Sequence, residues 1–242
     1  MIDAWDWEPS VVIGCALLAI GFLVLTRARQ CNVWYFLSGV LMLLLDLVSP
    51  LDLLGDQYLF SAHIVQHLVL AMVVPPLLIA GVAPWPLPGR LRLPEVAAPV
   101  AWVSGVGTMV FWHIPLLFNA ALANDGLHIA QHLSFLVTGT IFWWTLRRLP
   151  PLTAISYLFG ACLACSVLGA ALTFARPGLY PAYSNPEDRL GLLPLIRDGW
   201  GLDPKTDQQL GGLLMWVPGC FIYLSAILMT VARWYGMKEK TA

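Results

Sequence analysis

The chain has 242 residues, of which 59% are hydrophobic and 11% are charged, and its net charge is -1. Soluble domains carry about 25% charged residues, so this composition excludes an ordinary soluble protein. The nearly neutral charge and the absence of a basic tract also exclude nucleic-acid binding. The apolar residues form long blocks, which predicts an all-α integral membrane protein that lies in the lipid bilayer as one domain, residues 1–242.

Seven apolar blocks approach the length of about 20 residues that a bilayer-spanning helix needs. They cover residues 9–26, 33–49, 58–81, 97–118, 126–146, 152–175 and 208–233. The residues before the first block are acidic and lack the basic start of a signal peptide, so this block is predicted to be a retained span.

Basic residues predict the orientation of these seven transmembrane helices, because cytoplasmic connections are enriched in Lys and Arg. Basic residues follow the first, third, fifth and seventh blocks: Arg27, Arg29, Arg90, Arg92, Arg147, Arg148, Arg233, Lys238 and Lys240. The connections on the opposite side are mainly acidic. We therefore expect the N-terminus outside and the C-terminus in the cytoplasm.

One short phrase, H-I-x-Q-H, occurs twice, from His63 to His67 and from His128 to His132. Residues four apart share one face of a helix and lie about 6 Å apart along its axis. The fifth histidine of the chain is His113. The predicted orientation places all five in the outer half of the membrane, so the sequence predicts one polyhistidine metal site there.

Other residues with metal-related chemistry are predicted near this layer. The carboxylates are Asp46, Asp52, Asp56 and Asp207, and ionisable groups within spans suggest a function by default. Asp207 and Asp46 could accept a ring N–H of a ligating histidine and fix its tautomer. The thioethers Met72, Met109 and Met215 lie deeper. Thioether with imidazole favours Cu(I), although methionine in a membrane helix usually packs.

Three further features have a structural interpretation beside a functional one. Cys162 and Cys165 form a C-x-x-C that is interpreted as small residues at a helix-packing face. Prolines 75, 76, 115 and 218 predict kinks, which are either structural or widen a cavity around the histidines. The proline-rich connection 176–207 is expected to cover the site or to form a partner surface.

The order of these motifs from about residue 46 to residue 235 resembles the multi-span CtaG family of cytochrome c oxidase assembly factors. The resemblance rests on S-P-L-D-L-L-G-D at 49–56, W-H-I-P at 112–115, the second H-I-x-Q-H, D-Q-Q-L-G-G at 207–212 and M-W-V-P-G at 215–219. It implies a bacterial plasma (inner) membrane protein that supplies copper to a subunit of a haem–copper oxidase. The 176–207 connection is longer than the family pattern leads us to expect.

Three functions from different classes remain open on the sequence. The first is a non-enzymatic assembly factor whose five histidines bind copper. In it Asp207 is either a further ligand or the hydrogen-bond acceptor of a ligating histidine. The second is a membrane-embedded zinc hydrolase that uses three histidines, with Ser61, Asp52 or Asp207 in its chemistry. The third is an electron carrier with haem held by His67 and His132. The oligomeric state is open, with a homo-oligomer as one option.

Overall fold

The computed structural model describes residues 5–26, 32–82 and 97–239, with side chains up to residue 236. These ranges contain helices and turns and no strand, which confirms the all-α prediction. The α-helices are α1 (Pro9–Thr26), α2 (Val33–Val48), α3 (Pro50–Leu53), α4 (Phe60–Leu68), α5 (Val74–Val82), α6 (Ala98–Trp112), α7 (Pro115–Leu122), α8 (Asp125–Leu146), α9 (Pro151–Phe174) and α10 (Pro204–Glu239).

Among the described residues, four helices are long and apolar enough to cross a membrane, or up to six spans if two bent pairs each count as one. The four are Pro9–Thr26, Phe60–Val82, Pro151–Phe174 and Pro204–Gly236. Helix α8 has 22 residues but is not among them, because its two histidines and Gln131 lower its hydropathy. The seven-span count therefore stays a prediction.

The orientation relative to the membrane and the single-domain organisation also stay predictions. Arg27, Arg29, Arg90, Arg92 and Lys240, on which the orientation partly depends, lie outside the described residues. The structure does show the start of α1 beside the end of α2, since the Asp6 N–H donates to the Val48 carbonyl over 3.1 Å.

The block predicted as one span over 97–118 is broken at His113. Helix α6 ends at Trp112, and α7 begins at Pro115 after a bend of 74°. Proline lacks the N–H that would continue α6 and suits the first position of a new helix. The bend is therefore sharper than the predicted kink, and it leaves His113 at the junction.

The segment from Phe60 to Val82 contains a π-helical turn, Val69–Val73, in which the Val74 N–H donates to the Val69 carbonyl. Pro75 cannot donate to the Ala71 carbonyl, and the indole N–H of Trp143 takes that place over 3.0 Å. A Cβ on Gly139 would lie 2.7 Å from the same carbonyl, so only glycine permits this approach. Helix α8 is thereby fixed against the segment that carries His63 and His67.

Helices α9 and α10 pack with their backbones in close contact. A Cβ on Gly169 would lie 2.8 Å from the Gly212 carbonyl, and one on Gly212 would collide with the Thr173 hydroxyl. Small residues permit such approaches between membrane helices. This packing places the first turn of α10 beside the first turn of α4.

The connection between α9 and α10 packs over the end of the bundle where α4 and α10 begin. The Tyr183 hydroxyl donates to the Gly55 carbonyl over 2.7 Å, and the Tyr180 hydroxyl donates to the His113 carbonyl over 2.9 Å. The Tyr180 ring stacks on Phe60 at 4.5 Å. These contacts place the connection against the elements that carry the histidines, and its role as a cover or as a partner surface stays a prediction.

Candidate metal centre

All five histidines of the chain meet in one cluster. Within the two repeated phrases the ring centroids lie 4.3 Å apart for His63 and His67 and 4.2 Å apart for His128 and His132. Between helices, His63 lies 5.4 Å from His128, and His67 lies 5.5 Å from His113. The two phrases therefore face each other, as their spacing predicts, and the break after α6 brings His113 to them.

Three of these histidines form the group that best fits a single ion. His63, His128 and His132 each offer a ring nitrogen, and these nitrogens lie within 4.8 Å of one another. Asp56 is the carboxylate beside them, with Oδ1 3.3 Å from Nε2 of His128 and 3.7 Å from Nδ1 of His63. We call this group, His63, His128 and His132, the histidine triad.

His67 and His113 lie behind the triad. The Nδ1 of His113 is 2.6 Å from the Met109 carbonyl, so Nδ1 carries the proton and donates it, and Nε2 keeps its lone pair. A hydrogen bond of this kind fixes the tautomer of a metal-binding imidazole. His113 is thus oriented for ligation by the helix that carries it.

Most of the buried ring nitrogens of the cluster lack a hydrogen-bond partner in the protein. His63 and His67 are 0% and 1% exposed, and neither ring nitrogen of either residue has a hydrogen bond. The Nε2 atoms of His113, His128 and His132 are also without one. An unsatisfied buried polar group costs about 1–3 kcal/mol. Because several unsatisfied ring nitrogens converge here, one ligand that binds them together would remove this cost. A cation bound by imidazole nitrogens fits this requirement.

Aromatic rings that the sequence analysis did not single out enclose the cluster. Phe118 lies 4.9 Å from His63, and Phe135 lies 4.3 Å from His67. Phe135 follows His132 by three residues, so their shared helical face was the available signal. Phe118 gave no such signal, because the chain bend at His113 brings it there. This close packing around His67 disfavours a macrocycle such as haem.

The glutamine of each repeated phrase points into the protein interior. Gln66 donates to the Asp52 carboxylate over 2.8 Å and to the Asp46 carbonyl over 3.2 Å. The structure thus places Asp52 and Asp46 around Gln66, where the three residues join α2, α3 and α4. Gln131 and the Asp46 carboxylate are buried without a hydrogen-bond partner. Gln66 and Gln131 are part of the repeated phrase, but its spacing indicated no role for them.

Asp207 holds the start of α4. Leu59 occupies the N-cap position and has no side chain that can accept a hydrogen bond. The Asp207 carboxylate supplies the acceptors, at 2.8 Å from the Phe60 N–H, 3.0 Å from the Ser61 N–H and 2.5 Å from the Ser61 hydroxyl. The expected ligand role of Asp207 gains no support from this arrangement, which favours a positioning role.

Two of the three methionines predicted to bind or transfer metal, Met72 and Met109, lie together, and Met109 contacts a histidine. Met72 and Met109 line one small cavity of about 20 Å³. Met109 also accepts the hydrogen bond from His113 through its carbonyl. Met215 is fully buried. Roles for these thioethers in metal binding or transfer stay predictions.

The triad is reached from two larger cavities, of about 690 Å³ and about 440 Å³. Asp56, Asp125 and His128 line both of them. The larger cavity lies between α1 and α8 and is also lined by Asp6 and Glu8. A cation that approaches the triad from either cavity therefore passes carboxylates before it meets His128, whose side chain is 17% exposed.

Comparisons with known proteins give one family match and several distant relatives. The model of the family described as cytochrome c oxidase caa3 assembly factor matches residues 16–236. Uncharacterised proteins of Mycobacterium leprae and Mycobacterium bovis are 24% identical over 279 and 280 residues, which cover 98% and 100% of this chain. The chain spans only 40% and 41% of the length of these two relatives. No solved structure matches the chain.

Proposed function

The chain belongs to the cytochrome c oxidase caa3 assembly factor family, and from this premise we propose that it binds copper at the histidine cluster and delivers it to a subunit of the oxidase. Copper is the cargo, and no bond in a substrate is broken. The protein therefore acts without enzymatic activity, and its partner is the oxidase.

The observation that carries this proposal is the convergence of every histidine in the chain on one buried site. Imidazole nitrogen is a good ligand for copper, whereas Mg²⁺ and Ca²⁺ prefer oxygen. The triad supplies three nitrogens, and His67 and His113 supply further nitrogens behind it. A site of this kind can hold copper away from water and still release it by exchange between neighbouring imidazoles.

The acidic cavities give the proposal an entry route. Asp56 and Asp125 lie in both cavities beside His128, so a cation is attracted to the exposed edge of the triad. The proposed topology has seven spans in the bacterial plasma membrane as a single domain, with the N-terminus and this edge on the outer side. Copper would then enter from that side.

The test is elemental analysis with an optical spectrum on detergent-purified protein. The wild type is compared with His67→Ala/His132→Ala and His63→Ala/His128→Ala. Thr140→Ala is the matched control, because Thr140 lies on α8 and its hydroxyl bonds its own helix at Leu136. We expect copper in the wild type and the control, and its loss in both double variants.

The same variants are expressed in cells that assemble a haem–copper oxidase. We expect low oxidase activity in the histidine variants and recovery when the medium contains excess copper. Normal copper binding and normal oxidase maturation in both double variants would overturn the proposal. A Soret band in the wild type would identify haem, and not copper, as the group that the histidines bind.

The histidine triad also favours a second candidate, a membrane-embedded zinc hydrolase. Three imidazoles with an open position and a nearby acid are a catalytic zinc arrangement, and Asp56 lies beside the triad. Ser61 is engaged with Asp207, which counts against its use as a nucleophile. Zinc instead of copper in the elemental analysis, with lipid or peptide hydrolysis, would favour this candidate.

A further inference from the structure

Three cysteines lie close together deeper in the bundle, outside the histidine cluster. The Sγ atoms of Cys162 on α9 and Cys220 on α10 are 2.9 Å apart, and both thiols are free. The Ser166 hydroxyl lies 3.0 Å from Cys220 Sγ. Cys165 lies one turn from Cys162, with Sγ 3.2 Å from the Met215 carbonyl. The C-x-x-C was interpreted as a packing face, and Cys220 adds a third thiol to it.

Gly219 on α10 lies against two further sulfur-bearing residues, Cys165 and Met72. A Cβ on Gly219 would lie 3.1 Å from Cys165 Sγ and 4.0 Å from Met72 Sδ, so the missing side chain leaves room for both sulfur atoms. Cys165, Met72 and Met109 line the same cavity of about 20 Å³. A cavity needs about 10–15 Å³ to hold one water, so this one has room for a single small occupant.

The spacing along the helices connects this cavity with the histidines. Met109 precedes His113 by four residues, which places it about 6 Å deeper on the same face of α6. Met72 follows His67 by five residues across the π-helical turn Val69–Val73. A π turn bonds residues five apart, which brings them closer to one face than an α turn would. The two segments that carry the cavity-lining methionines Met72 and Met109 thus also carry His67 and His113.

We propose that Cys162 and Cys220 form a second binding site, for a soft monovalent metal ion of the Cu(I) class, and that Cys165 and Met72 lie between it and the histidine cluster. The proposal deepens the copper function, because it gives the ion a place to move to within the membrane. Thiolate and thioether select Cu(I) over harder ions.

The charge balance of this step suits the interior of a membrane. When the ion enters, one thiol loses its proton, which leaves the site, and the thiolate bonds the metal. The charges of one thiolate and one monovalent ion cancel, and the second thiol stays neutral. Both cysteines are partly buried, and a site of zero net charge avoids the high cost of an isolated ion in a medium of low dielectric constant.

The test is an anaerobic titration of the full chain in detergent with Cu(I), in competition with a chromophoric Cu(I) chelator, followed by X-ray absorption at the copper edge. Cys162→Ser/Cys220→Ser is compared with the wild type. Met229→Leu is the control, because Met229 lies on α10 with 56% of its surface exposed. We expect sulfur-bound copper in the wild type and the control, and loss of that fraction in the double variant.

The His63→Ala/His128→Ala variant separates the two proposals. It is expected to lose nitrogen-bound copper and to keep the sulfur-bound fraction, whereas the cysteine variant does the reverse. Unchanged sulfur ligation in Cys162→Ser/Cys220→Ser would overturn the second site, as would copper bound only by nitrogen in a wild type with free thiols.

A measurement on the wild type alone covers the case in which the serine variant does not fold. One equivalent of Cu(I) is added before alkylation with N-ethylmaleimide, and modified cysteines are identified by mass spectrometry. We expect protection of Cys162 and Cys220 and no protection of Cys15, which lies on α1. Equal modification with and without copper would contradict the proposal.

Discussion

Asp207 accepts hydrogen bonds from both the backbone N–H and the hydroxyl of Ser61, a residue 146 positions earlier in the chain. Helix α4 begins without an acceptor of its own, since Leu59 is at its N-cap, and the first turn of α10 supplies it. His63 follows Ser61 by two residues. The carboxylate therefore determines where the first histidine phrase begins, and it does so from another helix.

Replacement of Asp207 by alanine should destabilise the protein. The Phe60 and Ser61 N–H groups would be left buried without an acceptor, which costs about 2 kcal/mol or more. The expected result is a lower melting temperature in detergent together with weaker copper binding, because α4 loses its fixed start. Thermal unfolding and the copper titration measure the two effects.

Asp207→Asn is the matched control, since the amide oxygen still accepts at the helix start but the side chain is a much poorer metal ligand. We expect most of the stability and of the copper binding to be kept. A variant that folds as well as the wild type yet binds no copper would instead identify Asp207 as a ligand.

The contribution of the hydrogen bond from the Trp143 indole to the Ala71 carbonyl can be measured by mutation. Trp143→Phe leaves the Ala71 carbonyl without a donor, and we expect a loss of about 1–3 kcal/mol in the free energy of unfolding. Pro75→Ala restores an N–H four residues after Ala71. The double variant should therefore lose less stability than the sum of the two single variants, as measured in a thermodynamic cycle. Strict additivity would show that the indole bond contributes nothing.

Tyr183→Phe tests the connection that covers the site. The Tyr183 hydroxyl donates a hydrogen bond to the Gly55 carbonyl, and Asp56 is the next residue in the chain. Loss of this bond, worth about 1 kcal/mol, should loosen the turn that carries Asp56 and weaken copper binding, with a smaller effect on thermal stability. Tyr35→Phe, at a position 50% exposed on α2, is the control that should leave both values unchanged. Equal copper affinity in the two variants would show that the 176–207 connection does not influence the copper site.

The hydrogen bonds of Asp203 at the start of α10 predict that the stability of the protein depends on pH. The Thr206 N–H donates to the carboxylate and lowers the pKa of Asp203, with further bonds from the Lys205 N–H and the Thr206 hydroxyl. A lowered pKa means that this stabilisation is complete above the unfolded pKa of about 3.9 and is lost as the pH falls through the folded value. Asp203→Ala should therefore lower the melting temperature at neutral pH and converge with the wild type in acid. A constant difference down to pH 3 would contradict this.

The histidine cluster was predictable because its signal is local. Two residues four apart share a helical face in any tertiary structure, and the repetition of the phrase with one predicted span between predicts that the two helices run parallel. The all-helical class followed from composition for a similar reason. Neither inference required knowledge of which helices touch.

The remaining parts of the site depend on contacts between distant segments. Phe118 reaches the cluster through the bend at His113, and Tyr180 and Tyr183 come from a connection without regular structure. Asp207 was predicted as a metal ligand or as an acceptor for one, whereas its contacts with Phe60 and Ser61 depend on how α10 packs against α4. Cys220 is 58 residues from Cys162, and no sequence pattern indicates that the two residues are in contact.

The break between α6 and α7 has an electrostatic consequence. Peptide dipoles aligned along a helix leave about half a negative charge at its carboxyl end. Because α6 stops at Trp112, that end lies beside His113 and the other imidazoles of the cluster. A cation at the cluster thus meets a fixed partial negative charge that needs no buried carboxylate and cannot be neutralised by a proton.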